Sequence, residues 1–316
     1  MFSLQIFGML AILAIFEAFY LLSFAEAEQG KRGVKWGYNP EDGPTTWGGL
    51  CATGKRQSPI NVNLAEVMMR DFPDLEFINY DVSGPIVAEN NGHTEELEGF
   101  NLWSKSPMIA GGGLGARYKL HQLHFHWDHL DYRGSEHTID ELHYPLEAHL
   151  VHIREDLTAD NATNTPDGVA VVAVFFAIAA DAKPLQSLEQ IFNATTNFDS
   201  HQNLTYSPSD LLPNVTNVWF RYNGSLTTPP CNQVVIWTLL AEPIYVDEEQ
   251  LDELRHRVSL TGALLIENWR AVQPLNNRTV YMKPRNGALN TFSTTVRGLS
   301  TVLFIFLRSY AIFQSL

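Results

Sequence analysis

The sequence predicts a mainly β, α+β domain, rich in strands and with two helical stretches. Three observations carry this expectation. Alternating or wholly apolar runs of strand length recur, as at residues 168–180 (GVAVVAVFFAIAA) and 233–246 (QVVIWTLLAEPIYV). Clusters of Gly, Pro and Asn separate them. Helical spacing shows only near residues 184–192 and 247–258. The chain has 316 residues, 45% of them hydrophobic, and no internal repeat or low-complexity block, which is material for a single large core.

From the N-terminus, the first element is an address. An apolar run over residues 6–24 is followed by Ala25, Glu26 and Ala27, a small-x-small cleavage pattern, so residues 1–27 read as a secretory signal. The run lacks a leading Lys or Arg and holds Glu17, which leaves an uncleaved membrane anchor as the alternative. Residues 121–130 (HQLHFHWDHL) alternate around Leu123, Phe125 and Trp127, the mark of a strand whose successive side chains face opposite ways. Residues 147–153 (EAHLVHI) form a second alternating run. The apolar run at 168–180, the helical stretch near 184–192, the run at 233–246 and the helical stretch at 247–258 complete the order.

Sequons at Asn161, Asn193, Asn203, Asn214, Asn223 and Asn277 agree with export. Cys51 and Cys231 are the chain's two cysteines, and in an oxidising compartment an even pair forms a disulfide. Two buried thiols is the reading for a chain that stays in the cytosol. With 35 acidic and 21 basic residues the net charge is −14, which removes the electrostatic footprint of a nucleic-acid binder.

Eight of the eleven histidines lie between His121 and His152. Solvated imidazoles need no such density, whereas a metal does. On the first strand His124 and His126 share a face and can converge on one ion, while His121 and His129, at odd offsets, point the other way. The second run offers His149 or His152, which are three apart and cannot both face the site. Glu147 shares the face of His149 and is placed to take the second ring N–H and fix the tautomer, which favours His149. Three neutral imidazoles without thiolate or carboxylate suit zinc with an open fourth position, the catalytic arrangement; copper is compatible on ligand type alone.

Further stretches fall into one order: WGY at Trp36, QSPINV at Gln57, NNGH at Asn90, HFHW at His124, GSEHTID at Gly134, GSLTTPPC at Gly224 and ENWR at Glu267. Together they resemble the α-class carbonic anhydrases of the secreted or membrane-anchored, disulfide-containing type, over roughly residues 35–284. The resemblance implies one catalytic domain at residues 28–285, built on a large, mostly antiparallel twisted sheet with a zinc site in a cleft. The activity implied is reversible hydration of carbon dioxide to bicarbonate and a proton.

The family's ligands to Zn2+ fall on His124, His126 and His149, in agreement with the strand geometry, and their outer partners on Gln122, Glu147 and the backbone of Asn268. Thr227 and Glu136 match the hydroxyl and buried carboxylate that orient the attacking oxygen. Taken alone, Thr227 in TTPP would read as turn chemistry and Glu136 as a surface carboxylate. His93 in NNGH matches the proton shuttle. Val151, Val171, Leu226, Thr227, Thr228 and Trp237 match the pocket for the uncharged substrate, and their apolar members would equally read as core.

Two positions depart from the family pattern. Glu96 replaces a common neutral Asn or Gln, and would raise the pKa of His93 if the two share the cleft wall. Ala271 stands where proline is usual. The family buries the segment around Asn277, so glycosylation is expected at Asn161, Asn193, Asn203, Asn214 and Asn223 only.

Three other functions compete. A catalytically silent binding module of the same family typically lacks a zinc ligand, and all three are present. A zinc esterase would use the same site. A structural zinc site would be closed and cysteine-rich.

After residue 284 the chain runs through RNGALNTFSTTVRG into LSTVLFIFLRSYAIFQSL. A spanning helix needs about 20 apolar residues, and Arg308 interrupts this one with no basic stop following. Small or polar Asn286, Gly287 and Ala288, a mostly polar spacer and a terminal apolar tail fit a glycolipid-attachment signal over residues 286–316, with Asn286 as the attachment residue. A disordered extension on a soluble secreted enzyme is the alternative. The expected partners are carbon dioxide and bicarbonate, plus the outer membrane surface through a lipid anchor; nucleic acid is not among them. The expected location is the extracellular face of the cell membrane.

Overall fold

A computed structural model describes residues 36–285. The expected signal at residues 1–27, the expected tail at 286–316 and its residue Asn286 lie outside the described residues. The chain divides into two units, Met1–Trp47 and Gly48–Leu316. In the first, residues 36–47 form a run of turns in which Gly37 N donates to Asp42 O at 3.0 Å and Trp47 Nε1 to the same carbonyl at 2.9 Å. Trp36, Tyr38 and Trp47 meet edge to face there, with ring centroids 5.4–5.9 Å apart.

The second unit is built on a 13-stranded sheet. Its path runs β11 (His201–Tyr206), β4 (Gly84–Asn90), β5 (Glu95–Glu98), β7 (Tyr118–Trp127), β9 (Leu146–Arg154), β10 (Val169–Ile178), β13 (Val235–Leu240), β12 (Trp219–Gly224), β15 (Tyr281–Lys283) and β2 (Met68–Met69). Off this path β14 (Ile244–Val246) pairs with β10, and β3 (Leu75–Ile78) joins β7 through β6 (Met108–Gly111). A separate parallel pair is made by β1 (Asn61–Val62) and β8 (Thr138–Ile139). Within the large sheet only β10–β13, β10–β14 and β15–β2 are parallel, so the mostly antiparallel expectation holds.

The centre of the sheet is where the apolar runs are longest. In β10 every residue but the last is buried, which its continuous Val, Ala and Phe permit on both faces. The stretch 233–246 makes two strands where one run was expected. Pro243 has no N–H for the ladder, so β13 stops at Leu240, and β14 resumes beside the far end of β10, with Ile244 opposite Phe176.

The helices are shorter than expected. Near 184–192 the helix spans Glu189–Ala194, and the residues before it form turns in which Leu188 N donates to Leu185 O while both leucines are buried. The second spans Glu248–Arg255. Asp247 caps it by accepting from Gln250 N at 2.9 Å, and Val258 leaves to bridge Leu264. The segment around Asn277 corrects an expectation: Asn277 is exposed, as are the other five sequon asparagines, because its tight turn presents it outward from the sheet margin.

Candidate metal centre

Register across β5, β7, β9, β10 and β13 builds the site in three rows on one face of the sheet. His124 lies opposite His149 and Glu96, His126 opposite Glu147, and Gln122 opposite Val151, which continues through Val171 to Trp237. A bulge at His121 sets this register, since Leu120 pairs with His152 while Gln122 already pairs with Val151. His129 falls after the strand and is exposed, with Nδ1 2.8 Å from Asp128 Oδ1. His152, on the opposite face from His149, is buried between Tyr80 Oη and Ala170 O. Both are left out of the site, His152 by the alternation of β9 and His129 because the strand has already ended at Trp127.

His124, His126 and His149 bring their ring nitrogens within 4.8 Å of one another. Each ring is held through its outer nitrogen: His124 Nδ1 donates to Gln122 Oε1 at 2.8 Å, His126 Nδ1 to Asn268 O at 2.7 Å, and His149 Nε2 to Glu147 Oε1 at 2.6 Å. A carbonyl or carboxylate can only accept, so the outer nitrogens carry the protons and the inner ones carry lone pairs.

His126 Nε2 and His149 Nδ1 therefore aim lone pairs at each other from 3.1 Å. Two acceptors that close repel unless a cation lies between them. Two nitrogens on a tetrahedral zinc at about 2.05 Å would be about 3.3 Å apart, so the donor set fits that ion. Burial, then the facing imidazoles of His126 and His149, hold His124 well below the ordinary histidine pKa. Burial also holds His126 low, against the opposing pull of Glu136. Neutral rings are the form that binds metal.

Around the ligands lies a buried polar shell. Glu147 accepts from His137 Nδ1 at 2.7 Å and His137 N at 2.9 Å as well as from His149. Burial pushes its carboxyl up, but the two histidines outweigh this and hold it below the usual range. His137 in turn meets Tyr222 Oη at 2.6 Å, and Tyr222 donates to Ser58 Oγ at 2.9 Å.

Glu136 Oε1 accepts from Arg270 N at 2.9 Å. Its Oε2 has no hydrogen-bond partner among the described residues and lies 3.6 Å from His126 Nε2 and 3.9 Å from His149 Nδ1. The hydrogen bond expected from Thr227 to this carboxylate is therefore not made at Oε2, which is left facing the centre.

Thr227 is buried on the loop after β12, and that loop is fastened from several sides. Leu226 N donates to Asn232 O, Cys231 N to Thr228 O, and Trp237 Nε1 to Ser225 O. Cys51 and Cys231 form the expected disulfide, across 180 residues of sequence. Arg270 ties it to the site: its guanidinium donates to Cys51 O, Gln57 Oε1 and Ser58 O at 2.7–2.9 Å. Val171 and Trp237 belong to the core cluster with Val151 and Leu226 packed against them, so the apolar residues expected to line the pocket are also core.

His93 follows the turn at Gly92, its N–H on Asn91 Oδ1 and its carbonyl on Asn268 Nδ2, both at 3.0 Å. Glu96 accepts from Asn91 Nδ2 at 2.8 Å, and burial, then Glu98 and Glu89, raise its carboxyl to about 8.

Sequence reasoning missed His137, Arg270, Tyr222, Ser58 and the Asn268 side chain, whose Oδ1 accepts from Trp127 N at 2.7 Å and whose Nδ2 also reaches Phe125 O at 2.8 Å. His137 and Arg270 stand in stretches already singled out, beside Glu136 and Asn268, but nothing local marks a side chain that acts on a neighbour in space.

Comparison with known proteins converges on the same chemistry. The family model for eukaryotic-type carbonic anhydrase matches residues 42–284. Putative carbonic anhydrase 5 of Caenorhabditis elegans is 40% identical over 270 residues, covering 82% of this chain and 86% of the relative. Putative carbonic anhydrase 3 of the same organism is 38% identical over 251 residues, covering 78% and 96%. Carbonic anhydrase 7 of Mus musculus is 35% identical over 256 residues, covering 78% and 96%. A match over most of the chain, on a sheet that gathers three histidines with inward lone pairs, means that this chain belongs to the eukaryotic-type carbonic anhydrase family.

Proposed function

We propose that the chain catalyses reversible hydration of carbon dioxide to bicarbonate and a proton, with Zn2+ held by His124, His126 and His149. The observation that carries this is the convergence of the imidazole nitrogens at 3.1 Å, with their outer nitrogens held as donors, an arrangement that a bound cation would relieve. Bound zinc would supply a water acidified to a pKa of about 7, carbonic anhydrase itself being the reference case for that value.

The chain's residues do the rest. Gln122, Glu147 and Asn268 O hold the rings in the ligating tautomer. Thr227 would accept from the attacking oxygen and so aim its lone pair at the substrate, and Glu136 Oε2, which takes no hydrogen bond from Thr227 in this structure, is the free acceptor facing the centre that the Thr227 hydroxyl would turn to. Val151, Val171, Leu226 and Trp237, with Thr228 at the edge, make the wall for an uncharged linear molecule. His93 carries the released proton to solvent, since an imidazole titrates near neutral pH.

The test is hydration activity with and without a chelator, on the parent and on His126→Ala. Loss in both treatments is expected; zinc and activity retained in His126→Ala would refute the ligand set.

The disulfide supports passage through an oxidising compartment, in keeping with a signal at residues 1–27. On that route exposed Asn161, Asn193, Asn203, Asn214, Asn223 and Asn277 are open to glycans, and a glycolipid attached at Asn286 holds the enzyme on the outer cell surface.

A further inference from the structure

Away from the metal centre lies a buried ion pair. Glu95 neighbours Glu96, which faces His124, and so points to the other side of β5. It is fully buried, with Oε2 2.9 Å from Arg257 Nε, and Thr195 Oγ1 lies 2.8–2.9 Å from both of its oxygens. Arg257 is buried over the Phe192 ring, and neither its Nε nor its Nη2 makes a hydrogen bond among the described residues, so the ion pair with Glu95 is what balances its charge.

The residues that follow these two partners carry the argument. Asn90 Nδ2 donates to Thr196 O at 2.9 Å and to Val258 O at 3.0 Å, while Val258 N donates to Thr196 O. Asn90 Oδ1 takes the Gly92 N–H at 3.0 Å. Gly92 has φ +84°, and a Cβ there would meet Phe198 at 2.8 Å, so the turn admits little else. His93 comes next.

We infer that Glu95 is a positioning residue for proton transfer: it gathers Thr195 and Arg257, fixes the two carbonyls that hold Asn90, and through Asn90 aims the loop that carries His93. This rests on His93 acting as the relay proposed above. Replacing the carboxylate by an amide turns an N–H toward either the guanidinium or the hydroxyl, so one partner is lost and its carbonyl moves.

The test compares kcat and kcat/KM for carbon dioxide hydration by the full-length enzyme in dilute buffer. The variants are Glu95→Gln, the pair Glu95→Leu with Arg257→Met, and His93→Ala. Proton release follows conversion of substrate, so its impairment lowers kcat and spares kcat/KM. Both Glu95 variants are expected to lose about tenfold in kcat, part of the roughly 100-fold that a misplacement of about 1 Å can cause. Their kcat/KM should stay within about twofold, and added imidazole should restore kcat. The paired variant leaves no buried charge alone and decides the matter if Glu95→Gln fails to fold. Unchanged kcat in the Glu95 variants beside a slow His93→Ala overturns this inference alone. Unchanged kcat in His93→Ala overturns the relay itself and the inference with it. An equal fall in kcat and kcat/KM, without imidazole rescue, reduces Glu95 to a part of the fold.

Discussion

Glu147→Gln is the substitution with the largest expected effect for the smallest change in shape. Glu147 is fully buried and accepts three hydrogen bonds, from His149 Nε2, His137 Nδ1 and the His137 N–H. Glutamine has one accepting oxygen. If that oxygen keeps the two ring bonds, the amide opposes the His137 N–H, and an unpaired buried donor costs about 1–3 kcal/mol. If the amide flips, it donates to His149 Nε2 and drives the ring proton onto Nδ1, the atom aimed at His126. Either outcome weakens metal binding. Outer partners of ligating histidines are worth about 10–100-fold in affinity, or roughly 1.4–2.7 kcal/mol, and two coupled histidines place this one at the upper end. Zinc competition against a graded chelator, with urea unfolding of the metal-free protein, measures both terms. Affinity within about twofold of the parent would refute the assignment of Glu147 as the group that holds the His149 tautomer.

His152 gives a pH test. Burial holds it at about 3 against an ordinary 6.5, so the unfolded chain binds the proton first. Its stabilising effect is complete above pH 6.5 and is lost as pH falls toward 3, with a slope of about 1.4 kcal/mol per unit. His152→Gln should flatten urea stability by one proton's worth in that window; an identical slope would contradict the buried neutral ring. Replacing Cys51 and Cys231 together by Ser should lower stability by roughly 2–4 kcal/mol and slow turnover, because Cys231 N holds Thr228 O and Gln57 Nε2 holds Cys231 O. Denaturant midpoints check the first, and an unchanged midpoint would remove the disulfide's proposed role. Phosphatidylinositol-specific phospholipase C should free the enzyme from intact cells; recovery in medium with residues 286–316 still attached would reject the lipid anchor.

Much of the site could be read along the chain because strand alternation is a local property. A two-residue period puts His124 with His126 and Glu147 with His149, and the place of Glu147 then favours His149 over His152. Apolar continuity likewise marked the run at residues 168–180 as a strand, and two cysteines in a chain with a signal-like start pointed to their pairing. Other features depend on pairing between distant segments. The bulge at His121 decides that Gln122 and not its neighbour meets Val151, and thereby that His124 faces His149. Pro243 could be seen in the sequence, but only the far end of β10 explains why a strand resumes after it.

His137, Arg270 and the amide of Asn268 were missed because each acts on groups brought to it by the fold: Glu147, the disulfide and the His93 loop. Burial decided the rest. It exposed Asn277 and raised Glu96 to about 8, and neither is a property of the residue or its neighbours in sequence. Local periodicity chooses which face a side chain takes, and that much the sequence determined by itself. What meets it on that face, and with what charge, follows from long-range register and desolvation, which exist only once the sheet has closed.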